Sequence, residues 1–212
     1  MNKNSNTYII IYASVMVVIV ALLLVGVSLA LKSRQDANVE IDRQSQVLAS
    51  LNIRNLEKDA VQKTYTDAVK EEKEIDFKGE KYSLFVCEVE GATKYVIPVK
   101  GRGLWGGLWG YIAVNADGET VFGTYFSHEG ETAGLGALIA EQKFQDSFKG
   151  KQLFADTLCQ DIALTVVKNG KVEKPDYQVD GITGSTLTSN GVANMLHDGL
   201  QPYVEFFNTL KK

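Results

Sequence analysis

The chain has 212 residues, enough for one domain of ordinary size with about forty residues left for anchors and linkers. Its 26 acidic residues outnumber its 22 basic ones, and the formal charge of -4 gives no electrostatic reason to expect nucleic acid as a partner. Cys87 and Cys159 sit in no CxxC or Cys/His cluster, which argues against a metal held by this chain alone. Cys87, inside the run YSLFVCEVE, is expected to be a buried thiol, and spacing leaves a disulfide to Cys159 open.

After a short tail (1–7), the stretch 8–31 is almost wholly apolar, and no charged residue or histidine lies between Lys3 and Lys32. Its about 24 residues make about 36 Å of helix at roughly 1.5 Å each, enough for a hydrocarbon core about 30 Å thick. A single transmembrane helix is expected, with Tyr8 and Tyr12 at one interface. Ser28 and Ala30 make a weak signal-cleavage pattern, but the apolar run exceeds a signal-peptide core, favouring an uncleaved anchor. Lys3 on one side and Lys32 with Arg34 on the other nearly balance, so charge does not choose an orientation.

From 32 to 76 the chain is polar and free of Gly and Pro, with Val39, Val47, Leu48, Leu51, Leu56 and Val61 at mostly helical spacings; a helical stalk is expected. A β-rich domain follows from 77 to 212. Its runs are YSLFVCEV, KYVIPV, GYIAVN and TVFGTYFS, the last two joined by the turn pair Asp117 and Gly118, then DIALTVVK, closed by Asn169 and Gly170, leading to DYQVD. An antiparallel sheet is expected. One helix should start near Gly134 and another after Thr188, the latter divided near Gly199 and Pro202. The fold class is α+β: one N-terminal transmembrane helix, then a domain with an antiparallel sheet and packed helices.

The chemistry-bearing stretch is DGITGSTLTS, Asp180 to Ser189, which gathers Thr183, Ser185, Thr186 and Thr188 around Gly181 and Gly184. A capped helix start explains such a composition without any ligand. The sharper reading is an anion site, because the first N–H groups of a helix lack intrahelical partners and its dipole favours negative charge. Neither a Walker loop nor a G-x-S-x-G elbow is present. Neither His128 nor His197 lies within a few residues of the turn, so no local base would activate a hydroxyl, and covalent chemistry here would need an outside enzyme.

VDGITGSTLTSNGV resembles the flavinylation motif found in the C subunit of the sodium-translocating NADH:quinone reductase family. In that family the last threonine of [ST]GAT receives FMN as a phosphoester from a separate flavin transferase that uses FAD. The matching residue is Thr186, with Ser185 where alanine is usual. GRGLWGGLWGYIAV resembles the family's GRGLWG segment, and HEGETAGLGALI its HxxETPGLG segment, with Ala133 in place of proline. The resemblance implies covalent FMN on Thr186. It further implies cofactor contacts from Asp180, Thr183, Gly184, Ser185, Leu187 and Thr188, and from Glu131, Thr132, Leu135, Gly136 and Trp105. It implies a single-pass subunit of the bacterial inner membrane, its domain on the periplasmic side, relaying electrons between cofactors of neighbouring subunits.

The expected partners are the other subunits of the NADH:quinone reductase complex, the flavin transferase during maturation, and membrane lipid. No catalytic residue and no metal ligand is assigned, and without a GxGxxG fingerprint the chain alone should not oxidise NADH. The G subunit of the Rnf electron-transport complex shares the anchor and threonyl-FMN, but GRGLWG and the motif spacing favour the NADH:quinone reductase family. A membrane-tethered structural module without flavin is the reading from another class.

Overall fold

The computed structural model describes residues 6–156 and 160–210; Lys3 and Cys159, and with it any disulfide, lie outside them. Two compact units divide the chain between Arg43 and Gln44.

The first unit consists of most of α1 (Asn6–Ser50), whose N-terminal half is long and apolar enough to cross a membrane. With neither Gly nor Pro to stop it after Leu31, the helix runs on through polar sequence, where Arg43 and Glu40 pair at 2.7 Å on its surface.

The second unit begins with the last turns of α1, where Val47 to Ser50 become buried. Asn52 and Asn55, with φ of 64° and 58°, turn the chain into α2 (Lys58–Ala68). Five strands follow as an antiparallel meander in the order β1 (Val69–Phe77), β2 (Glu80–Val89), β3 (Ala92–Arg102), β4 (Gly107–Asn115) and β5 (Val121–His128). The end of the expected helical stalk is thus strand β1. Its helix-forming Lys and Glu residues yield to pairing with β2, aided by a Lys81–Glu74 ion pair at 2.8 Å. From Gln44 onward the expected stalk belongs to the second compact unit.

Strand alternation gives the sheet two buried faces. Leu84, Ile97, Val99, Ile112 and Phe126 enter the main core with Met195, Leu196, Tyr203 and Phe207. Phe85, Cys87, Val96 and Ala113, of opposite parity, are equally buried on the other face. There the end of α1 lies close: Gln46 accepts a hydrogen bond from Trp109 Nε1 at 3.2 Å, and a Cβ on Gly123 would stand 2.5 Å from the Ser50 carbonyl oxygen. Burial pushes the Cys87 thiol up to about 12, as suits a side chain serving as a small hydrophobe.

The helix expected near Gly134 is a 3-10 turn (Gly136–Ala140) followed by the short α3 (Gln142–Asp146). The strand expected across 161–168 shrinks to β6 (Thr165–Val167), which pairs in parallel, not antiparallel, with β7 (Gln178–Asp180). The last helix is α4 (Thr186–Leu200). Pro202, within a 3-10 turn at Gln201–Tyr203, separates it from α5 (Val204–Leu210). Fully burying each of Tyr203, Phe207 and Leu196 in this helical layer contributes about 1.5–3 kcal/mol.

Candidate functional site

The start of α4 is placed by close packing on β3. A Cβ on Gly101 would lie 2.6 Å from Met195 Cβ, and one on Gly191 would lie 2.5 Å from the Arg102 carbonyl oxygen. Only glycines allow that approach, and it sets the first turn of α4 beside the β3–β4 loop. The preceding turn is tied to the β6–β7 pair. Asp180 Oδ1 accepts the Gly170 N–H at 2.7 Å, Asn169 Nδ2 donates to the Gly181 carbonyl at 3.0 Å, and Ser189 Oγ accepts the Ile182 N–H at 3.0 Å. Gly184, at φ +77°, then reverses the chain into the helix.

Between that helix start, the β3–β4 loop and the segment after β5 lies a cleft of about 220 Å³. Trp105, Glu131, Thr132, Leu135, Gly136, Gly184, Ser185, Thr186, Leu187 and Thr188 all line it. Asp180 and Thr183 do not: they face a separate groove of about 580 Å³ with Glu141 and Lys143. The smaller cleft is the better candidate, because the helix start and most of the motif's hydroxyls meet there. Leu104 also lines it, a residue of the GRGLWG segment that is not among the expected contacts.

Two features of the cleft go beyond helix capping. First, the cap residue Ser185 makes no side-chain capping bond, and Thr188 commits its hydroxyl elsewhere, to Glu131 Oε2 at 2.6 Å. Of the cleft hydroxyls, Ser185 and Thr188 are buried in the protein, whereas Thr132 and Thr186 are exposed, and Thr186 opens the helix. Second, Leu104, Trp105, Leu135 and Leu187 are 41–69% exposed around the cleft. Among the described residues of this unit, Val172 is the one other large hydrophobic of comparable exposure, so solvent-facing apolar surface is concentrated at this site.

Glu131 is 7% exposed and faces neutral donors. Its Oε1 accepts the Trp105 N–H at 2.9 Å while Oε2 takes the Thr188 hydroxyl, and its own N–H donates to His128 Nδ1 at 3.2 Å. Burial, the largest influence on its carboxyl, pushes the pKa up; the Thr188 hydroxyl, the Trp105 and Leu104 N–H groups and the charge of His128 together outweigh it, leaving the pKa lowered. Among the described residues no lysine or arginine lines the cleft, so an anion at the start of α4 would be held by backbone N–H groups and the helix dipole.

An apolar rim for a planar ring, beside an exposed hydroxyl at a helix start suited to phosphate, fits a flavin mononucleotide. The FMN-binding domain family matches residues 103–201, a span that contains every residue lining the cleft. The C subunit of the Na(+)-translocating NADH-quinone reductase of Haemophilus ducreyi is 30% identical over 97% of this chain and 96% of its own length. The chain belongs to the family of C subunits of the Na(+)-translocating NADH-quinone reductase, an oxidoreductase complex. Two solved members share the fold. The crystal structure of the C subunit from Parabacteroides distasonis superposes with a TM-score of 0.77 and 38% identity, covering 84% of this chain and 96% of that one. Shewanella oneidensis NqrC gives 0.67 and 25%, covering 80% and 96%. The α+β class read from the sequence therefore stands.

Proposed function

We propose that this protein is a membrane-tethered electron carrier that holds FMN as a phosphoester on Thr186. The observation that carries the reading is the accessible Thr186 hydroxyl at the start of α4, beside neighbours that are buried (Ser185) or already bonded (Thr188). No imidazole lies among the cleft-lining residues to act as a base, which supports attachment by a separate flavin transferase. The Thr186 Oγ–P bond forms as the P–O–P bond of FAD breaks; AMP leaves, and the hydroxyl proton passes to the transferase or solvent.

Once attached, FMN supplies reversible electron transfer. The chain's own residues bind and orient. Backbone N–H groups of the first α4 turn and the helix dipole stabilise the phosphate charge. Leu104, Trp105, Leu135 and Leu187 would keep water from the ring faces, and Gly136 leaves room for the Glu131 carboxylate and the Thr188 hydroxyl to meet behind the wall. Asp180 and Thr183, turned to the neighbouring groove, are proposed to shape the turn that the transferase reads. The apolar helix α1 supports a single-pass anchor in lipid. Family membership supports placement in the bacterial inner membrane with the domain on the periplasmic side, passing electrons between cofactors of neighbouring subunits.

The test is co-expression of the full chain with a flavin transferase and ultraviolet viewing of the denatured gel band. The wild-type band is expected to fluoresce and Thr186→Val to be dark, with the flavin mass found on the peptide containing Thr186. A dark wild-type band sinks the covalent reading, and fluorescence lost in Thr183→Val but kept in Thr186→Val moves the attachment to Thr183.

A further inference from the structure

We infer that Glu131 is a positioning residue, an anionic clamp that fixes the Leu104–Trp105 wall to the first turn of α4 and biases a flavin in the cleft toward its oxidised form. The inference rests on the FMN reading above but assigns Glu131 a role other than cofactor ligand. Both of its carboxylate oxygens are taken by the protein, one by the Trp105 N–H and one by the Thr188 hydroxyl. The packing leaves that carboxylate no slack: a Cβ on Gly103 would come within 2.4 Å of Oε1, and one on Gly136 within 2.5 Å of Oε2. Glycines on two different segments therefore close around one side chain. The clamp spans 57 residues of sequence between Glu131 and Thr188, and 26 between Trp105 and Glu131, so it joins walls with no local connection.

The charge matters separately from the bonds. Among the described residues no lysine or arginine pairs with Glu131. Its donors are a hydroxyl and N–H groups, which solvate a carboxylate without cancelling its charge at a distance, and the smallest of the influences on it is the charge of His128. An electron added to a ring in the adjoining cleft meets that negative charge across poorly screening protein, so reduction is opposed.

Two variants separate charge from clamp. Glu131→Gln keeps the size and both contacts, its amide oxygen accepting the Trp105 N–H and its NH2 donating to the Thr188 hydroxyl oxygen, but removes the charge; Thr188→Val keeps the charge and cuts one leg. On the flavinylated full chain, Glu131→Gln is expected to favour the reduced flavin about tenfold for the first electron, on the order of a 59 mV rise in potential. Thr188→Val, which keeps the charge, should shift the potential much less than Glu131→Gln does. On the chain without flavin, amide exchange at Trp105 should quicken several-fold in Thr188→Val. A Glu131→Gln potential equal to wild type, or equal to that of Thr188→Val, overturns the charge role. Unchanged Trp105 exchange in Thr188→Val overturns the clamp. Failure of the FMN reading would appear differently, as wild-type chain that never carries covalent flavin, and the exchange arm would still decide the clamp.

Discussion

Arg54 and Glu131 fasten loops to the same domain, and they do it under opposite conditions. Arg54, half-buried after α1, donates from Nη1 to Gln145 Oε1 and from Nη2 to the Thr124 carbonyl, both at 2.8 Å; burial lowers its pKa, and the Asp146 carboxylate offsets that only in part. Glu131 is more deeply buried and has neutral donors only. Each also has a glycine at the joint it secures: Gly123 beneath the Ser50 carbonyl that precedes Arg54, and Gly136 against the Glu131–Thr188 pair. The Arg54 joint is a packing device that ties the end of α1 to β5 and α3, and Arg54 lines neither the cleft nor the neighbouring groove. At Glu131 the fold keeps a carboxylate that, among the described residues, has no lysine or arginine partner, beside the most exposed apolar surface of the second unit, an arrangement that packing alone does not require.

The largest expected effect comes from filling the two glycines. In Gly123→Ala the new Cβ meets the Ser50 backbone oxygen at 2.5 Å, and backbone has little room to yield, so a loss of about 1–3 kcal/mol is expected. In Gly136→Ala the Cβ meets side-chain oxygens, Glu131 Oε2 at 2.5 Å and Thr188 Oγ1 at 2.6 Å, which can swing apart by giving up their bond. That variant should lose less stability, about 0.5–2 kcal/mol, yet show the faster Trp105 amide exchange of a broken clamp. Urea unfolding of the full chain in detergent, read beside amide exchange, checks both. The contrast collapses if Gly123→Ala is the milder change or if it too loosens Trp105.

How far these joints were legible in the sequence depends on whether local chemistry or distant pairing decides each element. The β4–β5 hairpin follows from Asp117 and Gly118, whose turn is secured by Asp117 Oδ1 accepting the Glu119 and Thr120 N–H groups. The apolar face of α4 likewise follows from its spacing. Strand β1 does not, because VKEEKEIDF is rich in helix formers and becomes a strand only by pairing with β2 through the two-residue turn at Lys78 and Gly79, with φ of 54° and 84°. Asp180 and Thr183 are neighbours of Thr186 in sequence, but the Gly184 reversal turns them to another groove. The Thr186 region was legible as a helix start with hydroxyls; that Thr188 serves Glu131 instead of capping the helix was not, since their contact spans 57 residues.

Acid should separate the two joints further. The Glu131 pKa is lowered in the fold, so its contribution is fully present above the unfolded value near 4.5 and is lost as pH falls through the folded value. The stability gap between wild type and Glu131→Gln should therefore hold steady from neutrality down to about pH 4.5 and narrow below it. Arg54 stays charged throughout, so the Gly123→Ala penalty should not follow that curve. A wild-type to Glu131→Gln gap that stays constant to about pH 3 would mean the carboxylate's charge is not what its donors stabilise.

The smallest effect belongs to a charge cluster at the surface, which shows what burial adds. His197 lies 3.0 Å from Asp198 and 3.1 Å from Asp161 on a side chain 48% exposed. The Asp198 hydrogen bond, opposed by partial burial and aided by Asp161, raises its pKa above 6.5. A raised pKa gives stability that is complete below the unfolded value and lost as pH rises through the folded one. Solvent screens such exposed pairs, so His197→Gln should lower the urea midpoint only slightly at about pH 5.5 and not at all at about pH 8.5. If that loss matched the acid-sensitive loss at Glu131, burial would not be what distinguishes the clamp, and Glu131 would differ from the surface cluster only in the number of its hydrogen bonds.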